Sequence, residues 1–101
     1  MKNETSTESD DWYPRGTTID GHEFRGGGMC PEQYHVFKDG VQVSYTRLRH
    51  GLFLVKVPDA GGMIVYAASP RGDGCFENDE REHYLRKAIE AIQAHMSTHS
   101  A

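Results

Sequence analysis

The side chains best suited to chemistry lie together in one short stretch, Tyr45-Thr46-Arg47-Leu48-Arg49-His50. It combines an aromatic ring, two guanidinium groups and an imidazole at the predicted end of a β-hairpin. Arginine forks bind phosphate and carboxylate groups. With one arginine from a later loop, the stretch forms a candidate anion site of Tyr45, Arg47, Arg49, His50 and Arg71. The alternative interpretation is a hairpin tip whose charges keep it soluble and block aggregation between sheets.

The other reactive side chains are scattered along the chain. Six His and two Cys show no paired ligand spacing of the kind that structural zinc requires, so no metal site and no cofactor are predicted. Cys75 with His83, or Cys30 with His35, could pair as nucleophile and base, but no orienting third group accompanies them. The sequence therefore predicts a protein that is not an enzyme. A Cys30–Cys75 disulfide is geometrically possible. However, residues 1–11 carry no secretion signal, which favours reduced thiols.

Two consecutive hairpins must position the candidate site. Asp39-Gly40 is a favoured pair for a two-residue turn between strands at 34–38 and 41–49. This turn sets Val36 opposite Val43 and Tyr34 opposite Tyr45.

The turn after residue 49 has two interpretations. A two-residue loop at His50-Gly51 would set Tyr45 opposite Lys56, whereas a three-residue loop over 49–51 sets it opposite Val55. Register follows the apolar pattern, because a slip of one residue moves every side chain to the other face. The pattern favours the three-residue loop.

A fourth strand at 63–68 and one helix at 79–96 complete the predicted domain. The helix carries an apolar stripe at helical spacing, formed by Leu85, Ala88, Ile89, Ile92 and Met96. We therefore predict an α+β fold: a four-stranded antiparallel sheet of two hairpins with the C-terminal helix on one face. Residues 33–101 form this single domain, and residues 1–32 form a flexible N-terminal tail or arm.

The face away from the helix is predicted to be open and partly apolar. A clustered apolar patch on a sheet commonly binds a partner, and Trp is a frequent interface anchor. The candidate partner interface consists of Trp12, Phe37, Leu48, Leu52 and Leu54. A domain of about 70 residues is also close to the lower size limit for a self-sufficient core, which favours a homodimer or a docking partner.

Composition and charge limit the function classes. The chain has 101 residues, of which 37% are hydrophobic, and a formal net charge of −4. Residues 1–32 carry three cations and seven acids, whereas residues 33–101 carry eight of each. A basic nucleic-acid-binding domain would show a clear excess of Lys and Arg, and no apolar run approaches the ~18 residues of a membrane helix. The sequence therefore predicts a cytoplasmic protein that does not engage a membrane.

Three sequence blocks between residues 34 and 92 carry a resemblance. They are Tyr45-Thr46-Arg47-Leu48-Arg49-His50-Gly51, Gly72-Asp73-Gly74-Cys75-Phe76 and Glu80-Arg81-Glu82-His83-Tyr84-Leu85. With these blocks the chain resembles short uncharacterised bacterial proteins of phages and mobile elements. The resemblance assigns no functional residue, and it implies an accessory or counter-defence role.

Two functions follow as hypotheses. The first is a small non-enzymatic protein-binding module that forms a homodimer or docks on a host protein and inhibits it. The exposed sheet face, the small core and the absence of a catalytic constellation support it. The second is a nucleotide or nucleic-acid binding protein that uses the arginine-rich hairpin tip.

Overall fold

Seven elements make up the part of the chain that the computed structural model describes, residues 17–26 and 30–99. They are β1 (Thr17–Ile19), β2 (His22–Gly26), β3 (Glu32–Lys38), β4 (Val41–Arg49), β5 (Leu52–Val57), β6 (Met63–Ala68) and α1 (Asn78–His99). Each strand pairs antiparallel with the next one along the chain, so the sheet order is β1-β2-β3-β4-β5-β6. The predicted α+β class, an antiparallel sheet with one C-terminal helix, is confirmed. The predicted count of four strands is wrong, because the sheet has six.

The two additional strands come from residues 17–26, which the sequence interpretation assigned to the flexible tail. The turn between them is Asp20-Gly21, the same dipeptide that closes the predicted hairpin at residues 39–40. Phe24 anchors this hairpin: it is fully buried and packs edge-on against Tyr34, with the ring centroids 5.7 Å apart. Trp12 lies outside the described residues, so its interface role stays a prediction.

Three of the β-turns share an uncommon backbone geometry. Asp20, Asp39 and His50 have φ angles of 48°, 53° and 54°, and the glycine after each also has a positive φ. Positive φ at both central residues is characteristic of type I′ turns, whose twist matches that of the flanking strands. Because His50-Gly51 forms such a turn, the loop between β4 and β5 has two residues, and the predicted three-residue loop is wrong.

A β-bulge in β4 explains why the predicted register fails. Lys38 pairs with Val41, as the turn requires, but Val36 pairs with Ser44 instead of Val43. Val43 is thus an extra residue without a direct partner. An inserted residue reverses the side-chain alternation for the rest of the strand.

The bulge moves two predicted residues to the opposite face. Leu48, predicted on the open face, is fully buried in the core, so it does not contribute to an exposed partner interface. Tyr45, predicted opposite Tyr34, pairs instead with His35 and Lys56 on the open face. The apolar pattern concealed this exchange because Val43 is buried even though it forms the bulge.

Helix α1 covers the other face of the sheet and completes the core. It contacts β4, β5 and β6. Four of the five residues in the predicted stripe are buried: Leu85, Ala88, Ile89 and Ile92. Met96 is 41% exposed, so the core ends one turn before the predicted stripe does.

Candidate ligand-binding face

One row of directly paired side chains crosses the uncovered face from β2 to β5. It consists of Arg25, His35, Tyr45 and Lys56, here called the open-face row. Neighbouring strands lie about 4.8 Å apart, so the strand positions of the two cations are separated by about 14 Å. Two rings occupy the space between two positive charges.

The two rings of the row are held in place by hydrogen bonds. The centroids of His35 and Tyr45 are 5.3 Å apart, with their planes inclined by 50°. The Tyr45 hydroxyl donates to Oε1 of Gln33 over 2.5 Å, and the amide of Gln42 lies 3.1 Å from Nδ1 of His35. Both rings therefore need little reorganisation to receive a planar ligand.

Two shallow depressions continue from the row along β4 and β5. The first, of about 120 Å³, is lined by Tyr45, Arg47, Leu54, Lys56 and Ala60. The second, of about 380 Å³, is lined by Arg47, Arg49, His50, Leu52 and Leu54. Because both share Arg47 and Leu54, they form one track from the open-face row to the hairpin tip.

The cations on this track have no carboxylate partner. Within residues 17–26 and 30–99, Arg47, Arg49 and Lys56 make no ion pair, whereas every other described arginine makes at least one. Arg25, at the far end of the row, pairs with Glu23 at 3.1 Å and lies 3.9 Å above the Phe37 ring. On the open face of the described residues, the cations without an ion-pair partner therefore lie on β4 and β5.

The structure brings together four of the five residues predicted for the anion site. Tyr45 and Arg47 lie on the open face, and Arg49 and His50 follow at the hairpin tip. Arg71 is engaged elsewhere: its guanidinium pairs with Asp79 and lies 3.5 Å from Glu80 at the start of α1.

Three residues of the open face were not predicted as site residues. Arg25 was assigned to the tail, and His35 and Lys56 were not included in the predicted anion site. The signal for Arg25 was present, because Asp20-Gly21 between β-forming residues is the same hairpin motif as Asp39-Gly40. Among the predicted interface residues, Phe37 and Leu54 are half-buried on this face and Leu52 is exposed.

A disulfide ties the loop after β6 to the start of β3. Cys30 and Cys75 are bonded, with their Cα atoms 5.1 Å apart, so the expectation of reduced thiols is wrong for this structure. The N–H of Glu32 donates to the carbonyl of Gly74 over 2.7 Å, which aligns the two segments. The N–H of Gly51 donates to the carbonyl of Asp73 over 2.6 Å, so the same loop also supports the hairpin tip.

A buried ionic network holds the start of α1 against β3. Glu32 accepts from Nε of Arg81 at 2.7 Å, from Nη2 of Arg81 at 3.1 Å and from the N–H of Phe76 at 3.0 Å. The Tyr34 hydroxyl donates to the same carboxylate. Burial, reinforced by this bond to Glu32, raises the pKa of Tyr34 and keeps it protonated as a donor. Because these groups satisfy one another away from solvent, the network is structural.

Glu80 organises the loop that precedes the helix. Its carboxylate accepts from the N–H groups of Arg71, Gly72 and Glu77, each over 2.9 Å. Burial alone would raise the pKa of Glu80, but these three bonds and the charge of Arg71 lower it below its ordinary value. Glu80 therefore supports the loop as an ionised carboxylate.

Neither a metal cluster nor a membrane-spanning helix occurs in the described ranges. No three His, Cys, Asp or Glu side chains there are grouped so that they could hold a metal ion. The helix is not apolar enough to cross a membrane.

Comparison with protein-family models, with curated proteins and with solved structures finds no match to this chain. The resemblance to proteins of phages and mobile elements therefore stays a prediction. The open face has to be interpreted from its own geometry.

Proposed function

We propose that this protein is a non-enzymatic binding protein that holds single-stranded nucleic acid across the open face of its sheet. The observation that carries the proposal is a set of three cations, Arg47, Arg49 and Lys56, that have no carboxylate partner among the described residues and lie beside the ring of Tyr45. Proteins that bind single strands combine rings that stack on bases with cations that contact phosphates. Tyr45 and His35 supply the rings, and the track along β4 and β5 supplies the cations.

The acidic net charge of the chain is compatible with this proposal because the charges are separated in space. The described strands of the open face carry four cations, Arg25, Arg47, Arg49 and Lys56, and one acid, Glu23. One further acid, Asp73, lies beside Arg49 and His50 at the hairpin tip. Acidic side chains gather instead in the first turn of α1, behind the sheet. A polyanion approaching the open face therefore meets a positive local field, which favours association.

The shape of the face favours a single strand over a duplex. The depressions are small, about 120 and 380 Å³, and the two rings belong to paired strands of the sheet rather than to a projecting element. Bases in a duplex are stacked inside the helix and cannot reach such rings, whereas unpaired bases can be splayed onto them. The ligand class proposed is thus unpaired DNA or RNA.

Docking of an acidic protein on the same face is the second candidate. Leu52 is 43% exposed beside the cations, and Ile64, paired with Lys56, is 53% exposed. Exposed apolar groups next to unpaired charges are found at protein interfaces as well as at nucleic-acid sites. The cytoplasmic location and the accessory role expected from the sequence stay predictions under both candidates.

The proposal is tested with a fluorescently labelled, mixed-sequence oligonucleotide titrated with protein and followed by fluorescence polarisation. The test variant is Arg47→Ala/Lys56→Ala, and the matched control is Arg86→Ala/Lys87→Ala, which removes two cations from the helix instead. We expect saturable binding that the test variant weakens by about tenfold or more, while the control changes little. Binding is also to be measured between about 50 and 200 mM salt, and the logarithm of the binding constant plotted against the logarithm of the salt concentration. The magnitude of the slope should be smaller in the test variant than in the wild type by about 0.7 for each phosphate contact removed.

A third variant separates stacking from charge. Tyr45→Leu removes the aromatic ring and leaves an apolar side chain without changing the charge, so it should weaken binding by about 1–3 kcal/mol if a base stacks there. Equal losses of affinity in the test variant Arg47→Ala/Lys56→Ala and the control Arg86→Ala/Lys87→Ala would show that binding is non-specific, and would refute the proposal. A wild-type protein that binds an acidic peptide but no oligonucleotide would assign the face to protein docking.

A further inference from the structure

Strand β6 lies at one edge of the sheet that the described residues form. Within the described part of the chain, Met63–Ala68 pairs only with β5, so the backbone groups on its other side have no partner strand. Such a row of N–H and C=O groups is a template for pairing with another strand. Proteins usually block it with charged side chains, with proline or with a covering element.

β6 lacks the usual charged protection. Residues 60–70 contain no charged side chain, and the strand itself consists of Met, Ile, Val, Tyr and two Ala. Met63 is 58% exposed and Ile64 is 53% exposed. A bulge at Val65 interrupts the pairing with β5, which bends the strand but leaves its outward hydrogen-bonding groups in place. The edge therefore combines free backbone groups with exposed apolar side chains.

We infer that a second copy of this chain occupies this edge, with the two β6 strands antiparallel about a two-fold axis. An uncharged strand can lie beside its own copy without the repulsion that like charges cause across a strand pair. At the other end of the strand order formed by the described residues, β1 has only three residues, so head-to-tail pairing of β1 with β6 would leave half of β6 uncovered. Pairing of β6 with itself covers the whole strand and closes the assembly at two copies.

This arrangement joins the two open faces. A two-fold axis perpendicular to the sheet keeps both faces on the same side, and Ile64 already follows Lys56 in the direct row across the sheet. The pairing thus places the tracks of the two copies on one continuous surface. The inference does not depend on what that surface binds.

The oligomeric state of the full chain tests the inference, measured by sedimentation velocity over a range of protein concentrations. The test variant is Ile64→Lys, which places a charge on the edge strand. The matched control is Val41→Lys, at a residue that is 64% exposed at the start of the interior strand β4. We expect dimers for the wild type and the control, and monomers for Ile64→Lys. At protein concentrations low enough for the wild type to dissociate, Ile64→Lys should have the same melting temperature as the wild type, because dimerisation stabilises only the associated protein.

Hydrogen exchange distinguishes edge pairing from another apolar contact. The outward amides of β6 should gain protection as the wild-type protein dimerises and should not gain it in Ile64→Lys. A wild type that stays monomeric up to about 1 mM, the limit of weak association, would overturn the inference. So would dimers that persist in Ile64→Lys, or dimers whose β6 amides stay unprotected. Oligonucleotide binding by a monomeric wild type would reject the dimer alone and leave the proposed function standing.

Discussion

Replacing Arg81 with methionine is expected to destabilise the fold severely, because it leaves the Glu32 carboxylate without its cation. Glu32 is 1% exposed and Arg81 is 6% exposed, and the guanidinium supplies two of the carboxylate's hydrogen bonds. Breaking a buried ion pair from one side typically costs about 3–5 kcal/mol. Small domains have unfolding free energies of about 5–15 kcal/mol, so the variant should lose a large fraction of its stability.

Two further variants show whether burial is the cause. Glu32→Gln/Arg81→Met removes both charges, and we expect it to be less destabilised than Arg81→Met alone. Arg86→Met removes an exposed arginine that pairs with Asp20 and Glu82, and should cost less than about 1 kcal/mol. Unfolding free energies are to be measured by urea denaturation followed by circular dichroism.

The result that would refute this reasoning is a small effect of Arg81→Met. A loss of unfolding free energy below about 1 kcal/mol lies in the range found for solvent-exposed ion pairs. It would mean that water reaches Glu32. Additive effects in the double variant would be equally damaging, since groups that share hydrogen bonds should couple.

Three more predictions concern the fold around the candidate site. Leu48→Ala should lower the free energy of unfolding by about 2–5 kcal/mol because Leu48 lies in the core. Leu52→Ala, at an exposed position, should lower it far less. Equal melting temperatures for the two variants would place Leu48 on the surface. Glu80→Gln should lower stability by about 1–3 kcal/mol at neutral pH. Because the pKa of Glu80 is lowered on folding, the stability advantage of the wild type is fully present above the unfolded pKa of about 4.3. It is lost as the pH falls through the pKa of Glu80 in the folded protein. Denaturation curves in which this advantage grows on acidification would contradict the direction of the shift. Replacing both Cys30 and Cys75 with serine removes a disulfide between residues 45 positions apart and should lower the free energy of unfolding by about 4 kcal/mol, the loop entropy of the unfolded chain. Denaturation curves of the wild type that are unaffected by reducing agent would show that the disulfide is not formed.

Several features were determined by the sequence alone because their signals are local. The stripe from Leu85 to Ile92 repeats at helical spacing, so it predicts both the helix and its buried face. Asp39-Gly40 predicts a hairpin because few other dipeptides accept two positive φ angles. Arg47, Arg49 and His50 are neighbours in the chain, so their proximity at one end of a strand required no tertiary information.

The tertiary structure decided which way the side chains of β4 point. The face on which a strand residue lies depends on the number of residues between it and the turn. The bulge at Val43 adds one residue, so it reverses the alternation of faces beyond it without changing the apolar pattern. Only pairing with the neighbouring strands shows that Tyr45 leaves the core and Leu48 enters it.

Long-range contacts were likewise outside the reach of the sequence. Glu32 and Arg81 are 49 positions apart, and neither one's surroundings in the chain indicate that it is buried. The charges cancel only when the fold brings them together, and an isolated charge of either kind would be expected at the surface. Local patterns therefore specify the elements of this protein, whereas the contacts between them decide which charges are buried in pairs and which remain on the open face.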